Sequence, residues 1–171
     1  MNIAFDYTGY HPLEYDEKTV WEKRNSIRDI FLSLSGLENN LEGFNNNHIY
    51  DLIELYDIVF FDDFFFDRNI KWLTSISNKM TRSAGYIRFM KHSKISIIKL
   101  SKYYLLKQNF SYSQMLNGIS ANNNLLALQL VLEHELLHAY QFCIYGSSNH
   151  GNTFKLEAYD IFKHKEGNYN D

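Results

Sequence analysis

An apolar run interrupted by His-Glu-Leu-Leu-His at positions 134 to 138 constrains this chain more than any other segment. Leu130, Val131, Leu132, Leu136 and Leu137 surround the polar residues, so the segment reads as a largely buried helix. It starts near Asn122 to Asn124, where an asparagine can cap, and stops at Gly146. Histidines at i and i+4 lie one turn apart on one face, within reach of a single ion. A buried carboxylate flanked by two imidazoles is costly without a partner, and a metal ion supplies one. HExxH on a helix is the zinc-hydrolase arrangement, in which His134 and His138 are ligands and Glu135 is the general base.

A catalytic zinc needs three protein ligands and an open position. Two downstream residues compete for the third place. His150 follows His138 by twelve residues, just past Gly146 and a short turn that can reverse the chain. Glu157 opens Glu-Ala-Tyr-Asp on a last helix, a placement other zinc proteases use. The remaining histidines lack a helical partner; His11, His48 and His92 read as surface residues, and His164 as a solvated residue of a polar tail. Cys143, at an apolar position of the motif helix, reads as a buried structural thiol.

Composition narrows the class. Apolar residues are 45% and aromatics 16% of the chain, which is globular rather than disordered composition. A net charge of −3 announces no strongly basic face. With one cysteine there is no intrachain disulfide and no Cys-based zinc ribbon. The N-terminus lacks a basic segment followed by an apolar one, and no apolar run has membrane-spanning length, so an intracellular location and no membrane partner are expected. The many asparagines and the single proline, Pro12, read as composition bias.

Periodicity gives the remaining elements. Residues 17–34 form a helix with Val20, Trp21, Ile27, Ile30, Phe31 and Leu34 at helical spacing, stopped by Gly36. The Asn-rich stretch after it reads as a linker, separating an N-terminal extension (1–46) from a core (47–165) and a frayed tail (166–171). The core opens with a helix over 48–60 and an aromatic turn in which Asp62, Asp63 and Asp67 are turn residues rather than a metal site. Strand-like segments follow at 70–77, 84–92 and 93–105, the last two close enough for a hairpin, with Ile95, Ile97 and either Leu100 or Tyr103 inward. Residues 107–121 read as irregular, and a final helix packs Phe154, Leu156, Tyr159 and Phe162 inward.

Beyond the pentapeptide, His150-Gly151-x-x-Phe154 resembles the HGxxF of the SprT-like metalloproteases, which include the Spartan DNA–protein crosslink proteases. Asn78 to Gly85 is similar to that family's segment ending in Ala-Gly before a strand. Ile97 to Ser101 is similar to its I-x-L-S strand, and Tyr56 to Phe65 to its helix end and aromatic turn. The resemblance covers residues 48–163 and favours His150 over Glu157. It implies an α+β, small zincin-like domain whose three-stranded antiparallel sheet packs with helices, the HExxH helix among them. It further implies a zinc-dependent endopeptidase with metal ligands His134, His138 and His150 and catalytic Glu135. Its expected partners are protein substrates, DNA-associated or DNA-crosslinked, and single-stranded or damaged DNA. The alternative is a non-proteolytic zinc-binding, DNA-associated module that retains the fold. A monomer is expected, in the nucleus if eukaryotic and in the cytoplasm if prokaryotic or viral. The oxyanion partner is not legible; Tyr145, Tyr159 and Arg82 are candidates. Lys91, Lys94, Lys99, Lys102 and Lys107 beside Tyr103, Tyr104 and Phe110 are candidates for contacting single strands, against a plain solvated strand face.

Overall fold

The computed structural model describes residues 12–106 and 114–165. Lys107, Phe110, His11 and the tail from Glu166, named above, lie outside them. Helix α1 spans Glu17–Ser35; Asp16 caps it by accepting from the Thr19 amide at 2.7 Å, and Gly36 ends it in the left-handed region. Helix α2 spans Asn46–Phe61, and its first turn is closed by Asn45 and His48 in a reciprocal capping box. Asp62 and Asp63 both take positive φ, so the chain breaks into a single turn, α3 (Phe64–Asp67). The Asp57 carboxylate accepts from the Phe65 and Phe66 amides and pins that turn, which sends Phe61, Phe64 and Phe65 into the core.

Strands β1 (Lys71–Ser77), β2 (Gly85–Met90) and β3 (Ile95–Ser101) form one sheet in the order β1-β3-β2. The expected hairpin is β2–β3, but β1 runs parallel to β3, so the sheet is mixed and not wholly antiparallel. After β1, residues 78–84 carry the chain to the far edge. A tight return then inserts β3 between its neighbours, antiparallel to β2 and therefore parallel to β1. The central strand turns Ser96, Ile98 and Leu100 inward; Ile95 and Ile97, expected inside, face the other way. Its phase follows Ile98 and Leu100, which pack under the helices. β3 stops at Ser101, whose side chain caps a short turn, α4 (Lys102–Leu105).

Residues 114–121 are not irregular. β4 (Gln114–Leu116) and β5 (Ile119–Ala121) pair around Asn117-Gly118, both at positive φ. Asn-Gly is the strongest short hairpin signal, and it was legible here. Helix α5 (Asn124–Tyr145) follows, capped by Asn123 and buried along most of its length, and α6 (Asn152–Phe162) closes the chain. On α6 the core stripe is Phe154, Ala158, Ile161 and Phe162, whereas Leu156 is 62% and Tyr159 48% exposed. Positions 154, 158, 161 and 162 keep the helical period that 156 and 159 break.

Helices α2 and α5 lie on the inner face of the sheet, against β1 and β2 respectively. The segment before α1 docks too: Tyr15 donates from its hydroxyl to Phe60 O and from its amide to Asp160 O. No helix among the described residues is long and apolar enough to cross a membrane.

Candidate metal centre

Helix α5 carries His134, Glu135 and His138 at and just past its midpoint. Gly146 ends the helix at φ 76°, its amide closing on Phe142 O at 3.1 Å. The chain therefore reverses within four residues and returns His150 to the helix. The three Nε2 atoms form a triangle: His134 to His150 is 3.0 Å, His138 to His150 2.9 Å, and His134 to His138 3.3 Å. Beneath them Phe154, fully buried at the start of α6, stacks on His138 at 4.4 Å and meets the other two rings edge-on.

Ligands about 2.0–2.1 Å from a tetrahedral zinc stand roughly 3.3 Å from one another, so the triangle fits one ion of that size. The donor set fits as well, since imidazole suits transition metals and must be neutral to ligate. Burial first, and then the His138, His164 and His150 rings, pull the His134 imidazole down to about 2, so it is neutral. Among the described residues, this is the one cluster of three His, Cys, Asp or Glu side chains with metal-ligand spacing. Asp62, Asp63 and Asp67 do not form another.

Glu135 lies next to the triangle and is almost wholly buried, and burial pushes its carboxyl up to about 8. A cleft of about 440 Å³ opens over it, with Ser83, Gly85, Tyr86 and Ile87 on the strand side. Gly85 is required by close approach rather than by its backbone angles. A Cβ there would stand 2.6 Å from Glu135 Oε1 and 2.9 Å from Val131 Cγ1. Gly85→Ala is therefore expected to displace the Glu135 carboxylate while leaving the three imidazoles in place. Metal uptake should stay near wild type; if Glu135 takes part in hydrolysis, activity falls at least tenfold, the loss expected when a reacting group is misplaced. Equal activity in the two proteins would show that Glu135 tolerates the shift.

The other candidates go elsewhere. Glu157 is outside the triangle: its carboxylate accepts from Gln141 at 3.2 Å and from the Tyr145 hydroxyl. Tyr159 packs under the Lys163 ammonium at 4.4 Å. Neither Tyr145, Tyr159 nor Arg82 lines the cleft, whereas Tyr86 does. Cys143 is half-buried, and burial lifts its thiol to about 12. His48 accepts from the Asn45 amide through Nδ1.

His164 is the main correction. Lys163 takes positive φ after α6 and turns His164 inward, where it is 1% exposed and stacks on Phe162. There its Nε2–H donates to Glu133 Oε1 at 3.0 Å. Glu133, immediately before the first motif histidine, is fully buried and also receives Arg24 from α1 at 2.6 and 2.8 Å and the Tyr56 hydroxyl at 2.5 Å. Burial alone would raise this carboxyl; the Arg24 guanidinium outweighs it and holds the group at about 2. Glu133 was overlooked, although a carboxylate inside an apolar helical run is itself the signal of a hidden cationic partner.

A histidine pair on a buried helix, joined by a third histidine from the following turn and set beside a small mixed sheet, gives an α+β domain with a cluster that could hold a metal ion. A model of the SprT-like family matches residues 49–170, and the chain belongs to that family. That membership carries a metalloprotease-related function with it. No curated protein and no solved structure matches the chain.

Proposed function

We propose that this chain is a zinc-dependent endopeptidase of SprT-like type that acts on DNA-associated or DNA-crosslinked proteins. The observation that carries the reading is the convergence of three imidazoles at the floor of a cleft, with a buried carboxylate beside them. His134, His138 and His150 hold the ion through Nε2. When bound, zinc supplies a Lewis acid that acidifies water and polarises a peptide carbonyl. Glu135 in its ionised form, which a neighbouring cation would favour against the burial that raises its carboxyl, would take the proton of the attacking water and return it to the departing amine. β2 is an edge strand that borders the cleft, so an extended substrate segment can pair with it and present its backbone to Glu135.

The DNA part of the reading is supported by the outer face of the sheet. By register this face carries one cation per strand, Lys71, Arg88 and Lys99, together with the half-exposed Tyr86. No Asp or Glu occurs anywhere in the three strands. Cations with an aromatic ring suit a phosphate backbone and its bases.

The test is cleavage of a protein crosslinked to single-stranded DNA, to double-stranded DNA, or free, by the zinc-loaded chain with and without chelator. Chelator-sensitive fragments, more abundant with DNA, are expected. A chain that holds zinc but cuts nothing in any arm is a binding module that retains the fold. Cutting that ignores DNA, with no salt-sensitive DNA binding, removes the DNA part alone.

A further inference from the structure

A chain of hydrogen bonds runs outward from His138. Its Nδ1 lies 2.7 Å from Ser148 Oγ, and Ser148 Oγ lies 2.7 Å from Gln141 Oε1. Gln141 Nε2 lies 3.2 Å from Glu157 Oε2, and the Tyr145 hydroxyl donates to the other oxygen of Glu157. The chain joins α5, the turn after Gly146 and α6, the same three pieces that hold the imidazole triangle.

The direction of each bond follows from the far end. An ionised carboxylate only accepts, so Gln141 must turn its amide nitrogen to Glu157. Its carbonyl oxygen then faces Ser148 and accepts the single hydroxyl proton there. With that proton committed, Ser148 Oγ meets His138 as an acceptor, so the proton of His138 sits on Nδ1. The lone pair is left on Nε2, which is the atom that faces His134 and His150. Gln141 is 2% exposed, so its amide lies inside the protein. A second-layer partner of this kind fixes both the tautomer and the ring plane of a ligating histidine.

The geometry points to Ser148, Gln141 and Glu157 as a positioning relay that locks His138 in its metal-ready tautomer and ties the His150 turn to the motif helix. This inference rests on the reading of the three histidines as a zinc site. It also gives Glu157 a role: not a ligand, but the acceptor that sets the polarity of the relay.

The test uses the full chain and two readouts, zinc affinity by competition with a chromophoric chelator and the long-range proton–nitrogen spectrum of the histidine rings. Ser148→Ala is expected to weaken zinc binding by about 10–100-fold and to lose the protected His138 Nδ1–H signal. Ser148→Thr, which keeps the hydroxyl, should restore both. Glu157→Gln, at a half-exposed position that spares the core, should weaken binding in the same direction by a smaller factor, because an amide can also donate to Gln141 and reverse the relay. His150→Ala should lose far more affinity than either. If Ser148→Ala fails to fold, Glu157→Gln decides alone. Wild-type zinc uptake with unchanged affinity and unchanged Nδ1–H in the variants would overturn the relay and leave the metal site standing. Failure of the wild type to take up zinc would overturn the site reading and the relay with it.

Discussion

Glu135→Gln is expected to keep about one zinc per chain while peptide cleavage falls by about 10²–10⁴-fold, the usual contribution of a general base. Gln is close in shape to Glu, so the close approach to Gly85 survives. What is lost is the ability to take a proton. Metal content and cleavage rate must be measured on the same preparation, because the prediction is their separation. Cleavage within a few-fold of wild type would remove Glu135 from the role of base. Parallel loss of zinc would mean that the substitution had disturbed the triangle instead, and Gly85→Ala then becomes the cleaner probe of the same carboxylate.

The second large effect lies away from the metal. Arg24→Ala is expected to destabilise the fold by about 3–5 kcal/mol, the cost of leaving a buried partner charge uncompensated. For a chain of this size that corresponds to a fall in Tm of roughly 6–20 °C. Glu133 would keep the Tyr56 and His164 donors but lose the guanidinium that meets it with two bonds. The double variant Arg24→Met, Glu133→Gln removes both charges, keeps one acceptor oxygen for the His164 Nε2–H while its amide nitrogen can donate to the Tyr56 hydroxyl, and should recover much of the loss. A single-variant cost below about 1 kcal/mol would put the pair in the class of ion pairs that add nothing measurable. Arg24 lies outside the stretch 49–170 matched by the family, yet it grips the residue next to His134. Stability of the motif helix is therefore tied to α1.

The parts legible in the sequence are those governed by local periodicity and end signals. Spacing places His134 and His138 on one face, Asn123 and Gly146 bound α5, and the HGxxF turn brings His150 within 3.0 Å of His134. Non-local pairing was not legible. Nothing in Lys71–Ser77 says that its neighbour will be β3 rather than β2, so the parallel pair was missed. Burial of a polar residue was also misjudged when its partner was distant. His164 looks like tail until Glu133, thirty-one residues earlier, is known to sit behind it. Ser148 and Gln141 are ordinary polar residues in the sequence, and only the fold shows that they face His138 and Glu157.

The asparagines carry more than composition. Asn46, at the start of α2, accepts from the Ile76 amide through its side chain at 2.9 Å and from the Thr74 hydroxyl through its backbone at 3.0 Å. It thereby occupies part of the outer edge of β1. A sheet with two open borders would recruit extended chains on either side, including other copies of itself. Here one border is partly covered by a single residue and the other looks onto the cleft, so the two edges of the sheet are not equivalent: the margin left open to an extended chain is the one beside the three histidines.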